Sequence, residues 1–101
     1  MILEHAELSV RAEQEEAFER AFRSASTIIA AARGFRRLSL SRRLEGGGYL
    51  LLVEWERLED HTEGFRGSRE YQEWRRLLHH FYEPFPTVEH YLPVVTVAEP
   101  G

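Results

Sequence analysis

The chain has 101 residues, 43% hydrophobic and 30% charged, a makeup that fits one globular domain and excludes a multidomain enzyme, a disordered segment or a fibrous repeat. Thirteen Lys and Arg against seventeen Asp and Glu leave a formal charge of -4 with the signs interspersed, so no basic field is on offer to a phosphate backbone and nucleic acid is not an expected partner. Zero cysteines exclude disulfides, thiol nucleophiles and thiolate metal ligands.

Residues 2–10 have the length of a strand, with Ala6, Leu8 and Val10 on one face by the two-residue period. From Ala12 to Arg33 the apolar positions (Phe18, Phe22, Ala25, Ile29) fall at steps of three and four, which predicts a long amphipathic helix, with Gly34 placed for a left-handed cap. Residues 35–43 alternate, Leu38 and Leu40 against Ser39 and Ser41. Glu45-Gly46-Gly47-Gly48 then turns the chain into a third strand over Tyr49–Glu56, a hairpin. Asp60, with Glu63 three residues on, is expected to cap a short helical turn. Ser68 is expected to cap a helix carrying Tyr71, Trp74, Leu78 and Phe81, which Pro84 and Pro86 stop. A last strand is expected over 88–97, at an edge or with a bulge because Pro93 cannot donate to a ladder.

The order βαββαβ predicts an α+β, ferredoxin-like subunit over 1–97, a four-stranded antiparallel sheet with both helices on one face, and a tail over 98–101. Tyr49-Leu50-Leu51-Leu52-Val53 is apolar at both parities, so the face without helices needs a cover. A second copy of the chain is the simplest one, which predicts a homodimer. No window approaches the roughly 18 apolar residues of a membrane span, and Met1 to Glu7 lacks the basic and long apolar regions of a secretory leader. We therefore expect a cytoplasmic protein with no membrane partner.

Among the five histidines, His79 and His80 are adjacent and cannot share an ion as an i, i+4 pair does, and no His-Glu-x-x-His occurs; no metal site is expected. His5 and Glu7 share a strand face, where a carboxylate could make an imidazole more basic, the alternative being a solvated pair at an edge. Trp55, Phe65, Tyr71, Trp74, Phe81, Tyr82 and Phe85 form an aromatic centre that could wall a pocket for a flat ligand, with His61, Tyr71 or His90 as the polar contacts and His5 as a further candidate pocket residue; plain core packing is the alternative. Neither a phosphate-binding glycine loop nor a Gly-x-Ser-x-Gly elbow is present, so no cofactor is implied.

The run from Val53-Glu54-Trp55 through Asp60-His61, Phe65-x-x-Ser68-x-x-Tyr71 and Trp74, together with Gly34-Phe35 and Val88-Glu89-His90-Tyr91, resembles the antibiotic biosynthesis monooxygenase domain family over nearly the whole chain. The resemblance implies a dimeric α+β barrel and, in some members, cofactor-independent oxygenation of aromatic or quinol-like substrates. It disfavours haem degradation: at the tryptophan and histidine positions of the haem-degrading pattern this chain has Phe65 and Arg75, and its first strand has no asparagine. The expected activity is monooxygenation of a small phenol or quinol with His61 and His90 as candidate catalytic bases, the alternative being a non-catalytic dimeric module that binds a small ligand.

Overall fold

The computed structural model describes residues 1–101. Its first strand, β1 (Ile2–Leu8), buries Glu4, Ala6 and Leu8 on one face. A single 3-10 turn over Ala12–Gln14 leads into α1 (Glu15–Ala30), whose Phe18, Phe22, Ala25 and Ile29 form the buried stripe expected from their spacing. Gly34 closes the helix region at φ +82°, a conformation in which a side chain is strained.

β2 (Phe35–Arg42) and β3 (Tyr49–Trp55) pair antiparallel around Gly46, Gly47 and Gly48, all at positive φ. In β3 the odd positions Tyr49, Leu51, Val53 and Trp55 are buried, whereas Leu50, Leu52 and Glu54 on the other face are intermediate. A π-helical segment, Asp60–Phe65, precedes α2 (Arg69–Leu78) and a 3-10 turn over His79–Phe81. β4 (Val88–Tyr91) completes a sheet of order β2-β3-β1-β4. The ferredoxin-like α+β fold is therefore present, with the core between the sheet and the two helices.

Three local expectations need correction. The last strand ends at Tyr91 rather than at residue 97. Its register pairs Leu3 with Tyr91 and β1 begins at Ile2, so past Leu92 no β1 residue remains to pair with, and Pro93 has no N–H to offer. Asp60 does not cap a following turn. Its Oδ2 accepts from the Arg57 backbone N–H at 3.1 Å, so it ties down the chain before the π segment rather than after it. His5 is paired across strands with Glu89, Nδ1 to Oε1 at 4.0 Å, not with its own-strand neighbour Glu7. The Ser68 cap forms as expected, its Oγ accepting from the Tyr71 N–H at 3.1 Å.

Candidate functional site

Between the sheet and α2 lies a cavity of about 340 Å³, at the small end of the ~300–1,000 Å³ range of ligand pockets. Strand parity brings Glu4, Ala6 and Leu8 of β1 to it; the π segment contributes His61 and Phe65, and α2 contributes Tyr71 and Trp74. Phe85 lines it as well and is 60% exposed, which puts an aromatic ring at the mouth.

The inner wall is polar and tightly connected. Trp55 is fully buried and its Nε1–H donates to Glu4 Oε1 at 2.9 Å, while its ring stacks on His61 at 5.4 Å between centroids. His61 Nε2 lies 3.3 Å from the same Glu4 oxygen, and His61 Nδ1 shares a 2.8 Å hydrogen bond with His90 Nε2. His90 arrives through the sheet: it is the cross-strand partner of Glu4, on the parity that faces the helices.

Burial sets the charge state of this group. It raises the Glu4 carboxyl above its ordinary 4.5, against the lowering hydrogen bond from Trp55 and the Arg66 charge. Burial likewise pulls His61 down to about 3, helped by Arg66 and His90, and lowers His90, helped by Arg66. His61 therefore faces the Glu4 carboxyl across 3.3 Å as a neutral ring rather than as the cation of an ion pair.

The two shifts act on stability with opposite signs. Between pH 6.5 and about 3 the unfolded chain holds a proton on His61 that the fold excludes, so this group contributes stability at neutral pH that is lost as pH falls through that window. Glu4 holds its proton in the folded state above 4.5, so its contribution is fully present below 4.5 and is lost as pH rises. His61→Gln should flatten the acid limb of the stability curve by up to about 1.4 kcal/mol per pH unit, one proton's worth. Urea midpoints from pH 6.5 to 3 measure this, and an unchanged slope in the variant would contradict the assignment.

Of the residues singled out from the sequence, His61, Phe65, Tyr71 and Trp74 line the cavity. Trp55 stands behind the wall that Glu4 and His61 form, and His90 reaches the cavity only through His61. Phe81 is core, its ring 5.5 Å from that of Phe18. His5 lies on the outer face of the sheet, edge-on to Tyr91. Tyr82 and Phe85 of the aromatic segment line it too, whereas Glu4, Arg66 and His79 line the cavity without a signal for it having been read in the sequence. The signal for Glu4 was present, since it shares the parity of Ala6, Leu8 and Val10 and is therefore a carboxylate on an apolar face.

No group of three His, Asp or Glu residues is arranged to hold a metal ion, and no helix is long and apolar enough to cross a membrane.

A four-stranded antiparallel sheet with two helices in this βαββαβ order is the architecture of the dimeric α+β barrel proteins. The antibiotic biosynthesis monooxygenase model matches residues 1–77, and the chain belongs to that family. It is 58% identical over 95 residues to YczJ of Bacillus subtilis, an uncharacterized protein, covering 93% of this chain and 100% of that one. A family structure from Bordetella bronchiseptica superposes with a TM-score of 0.87 at 34% identity, covering 93% and 97% of the two chains. A monooxygenase from the gene ActVA-Orf6 of Streptomyces coelicolor, solved with the ligand Nanaomycin D, shares the fold with a TM-score of 0.81 at 16% identity, covering 98% and 92%.

Proposed function

We propose that this protein is a cofactor-independent monooxygenase acting on a small phenol- or quinol-type aromatic substrate. The observation that carries the reading is an aromatic cavity that ends on buried, hydrogen-bonded acid–base groups, Glu4 and His61 with His90 behind. Phe65, Tyr71 and Trp74 would wall a flat ring, and the polar end would take the proton of its hydroxyl. The electron-rich phenolate then reduces O₂ directly. One oxygen atom enters the ring carbon and the other leaves as water with the displaced hydrogen and the phenolic hydrogen, so phenol plus O₂ gives quinone plus H₂O and no external reductant is required. Arg66 at the cavity wall favours the anionic substrate electrostatically. The Nanaomycin D held by the Streptomyces protein of the same fold supports a small-molecule occupant.

The test is a thermal-shift screen with naphthoquinols, anthrones, flavins and haem, followed by oxidation assays on the His61→Ala/His90→Ala double variant. A quinol or anthrone should stabilise the protein by mass action, and the double variant should lose at least the ~10²-fold that a positioned base supplies. Oxidation that continues unchanged in that variant overturns the reading. The second reading, a ligand-binding module without turnover, draws on the fact that Trp55, Phe65 and Trp74 are themselves core residues; stabilisation by a ligand that is never oxidised would favour it.

We further propose that the working unit is a homodimer packed through the outer face of the sheet. Leu3, Leu50 and Leu52 lie on that face with His5, whose Nδ1 is buried without a hydrogen-bond partner. Past β4, Leu92, Val94, Val95 and Val97 are 70–90% exposed, an apolar arm suited to lie on a second copy. Sedimentation should give twice the 11.9 kDa chain mass at micromolar concentration, and Leu52→Glu should halve it. A wild-type monomer at that concentration contradicts the dimer.

A further inference from the structure

All thirteen basic residues of the chain are arginines, and one of them, Arg66, lines the cavity. It follows Phe65 at the end of the π segment, where its backbone N–H donates to the His61 carbonyl at 3.1 Å, so the turn that sets His61 in the wall also sets the root of Arg66. Arg11, Arg20, Arg42, Arg57 and Arg76 are each paired with a carboxylate within 4.0 Å. Arg66 has neither an ion pair nor a side-chain hydrogen bond, and its charge acts instead on Glu4, His61 and His90. Glu4 is the cavity's one carboxyl; its Oε1 is taken by the Trp55 N–H, and burial works against its ionisation. Burial also holds His61 and His79 toward the neutral ring. Arg66 is exposed and a guanidinium is always charged, so it is the one group of the cavity whose charge burial does not oppose. Two further donors stand free beside it. Of the four tyrosines, Tyr49 donates to Glu19 and Tyr91 to Glu89, whereas Tyr71 and Tyr82, which line the cavity, have no hydroxyl partner in the protein.

We propose that the ligand of this cavity is a hydroxylated aromatic that also carries a carboxylate, and that Arg66 is the residue that selects it. This rests on the reading of the cavity as a site for a flat aromatic, but it does not require that oxidation follows. A phenol or quinol alone arrives neutral and offers Arg66 no charge until its proton has gone. A carboxylate is already ionised at neutral pH and presents two oxygens to the planar guanidinium fork, the geometry that gives the strongest charge-assisted pairs. The unpaired phenols of Tyr71 and Tyr82 add donors where a ligand rich in acceptor oxygens needs them. Position fits as well. The ring can enter between Phe65 and Trp74 while the carboxylate stays beside the exposed Arg66, so the charged end keeps part of its hydration and escapes the full cost of burial. A single guanidinium matches a monoanion; a phosphate ester, with nearly two charges at neutral pH, would leave one of them uncompensated. The chain carries a net charge of -4, so attraction of an anion here is a property of this wall and not of the protein as a whole. No bond to the carboxylate is made or broken: it anchors and orients the ring, and the proton of the hydroxyl remains the business of the polar end at Glu4 and His61.

The test is calorimetric titration at pH 7 with three probes that share one ring system: a panel of hydroxynaphthoates, the corresponding uncharged hydroxynaphthamides, and the parent naphthols. In the wild-type protein the best hydroxynaphthoate should bind at least about tenfold more tightly than its amide and its naphthol, the effect of one charge-assisted pair, and added salt should weaken only the hydroxynaphthoate. Arg66→Gln should bring the hydroxynaphthoate to within about twofold of the amide, leaving naphthol affinity and melting temperature unchanged, because the side chain has no partner in the protein; Arg66→Lys, which keeps the charge without the fork, should fall between them. Equal binding of hydroxynaphthoate and naphthol by the wild type overturns the proposal and leaves the aromatic reading of the cavity standing. A carboxylate preference that survives Arg66→Gln overturns it too, as does a loss of naphthol affinity in that variant equal to the loss for hydroxynaphthoate. Binding of none of the three probes overturns the reading of the cavity and the proposal with it. Selective binding of hydroxynaphthoate without oxidation supports the proposal and removes only the turnover.

Discussion

Replacing Trp55 by Ala should cost roughly 3–5 kcal/mol of stability, the range for emptying a large aromatic site in a core, and lower the melting temperature by about 12 °C or more for a domain this size. The side chain is fully buried, meets Phe35 edge-to-face at 6.0 Å, packs on Phe65 at 5.9 Å and stacks on His61 at 5.4 Å. Its removal also leaves Glu4 Oε1 without its 2.9 Å donor, and a buried carboxyl that loses a hydrogen bond is harder to ionise. Trp55→Phe separates the two effects, since it keeps most of the packing and loses only the N–H. Chemical denaturation of both variants is the measurement. A Trp55→Ala protein within 1 kcal/mol of wild type would show that the indole is not the keystone of this wall.

Gly34→Ala is expected to be the most damaging small substitution, at ~2–4 kcal/mol, because it combines two independent costs. At φ +82° an alanine is strained, and its Cβ would lie 2.0 Å from Asp60 Oδ2 and 2.3 Å from the carboxyl carbon. Asp60 is buried and holds the Arg57 N–H, so it cannot swing away without orphaning a donor at the start of the segment that carries His61. The substitution should therefore lower stability and also disturb His61. Urea denaturation reads the first effect and the His61 imidazole signal the second. A stable variant with an unmoved His61 signal would contradict the account of how Asp60 anchors the π segment.

Much of the architecture was legible because it depends on period. The stripe of Phe18, Phe22, Ala25 and Ile29 gave α1 its buried face, the glycine cluster gave the hairpin, and the double parity of β3 showed that both faces of the sheet carry apolar residues. What was not legible depends on register. That His90 stands opposite Glu4, and Glu89 opposite His5, follows from how β4 lies along β1, and residue spacing carries no information about that. The same is true of Asp60, whose partner is the Arg57 N–H behind it and the Gly34 backbone beside it. The aromatic segment divided for a third reason: on α2, Tyr71 and Trp74 face the cavity while Phe81, in the turn beyond it, is directed at Phe18, a difference of helix phase that an aromatic count cannot supply.

The most direct test of the proposed chemistry is oxygen stoichiometry. Purified protein, dialysed against chelator and given a naphthol- or anthrone-type substrate with no added flavin, haem or metal, should consume one O₂ per quinone formed, with labelled oxygen from ¹⁸O₂ appearing once in the quinone. No enzyme-dependent uptake across the substrates that stabilise the fold, or uptake that requires an added flavin or metal, would contradict it.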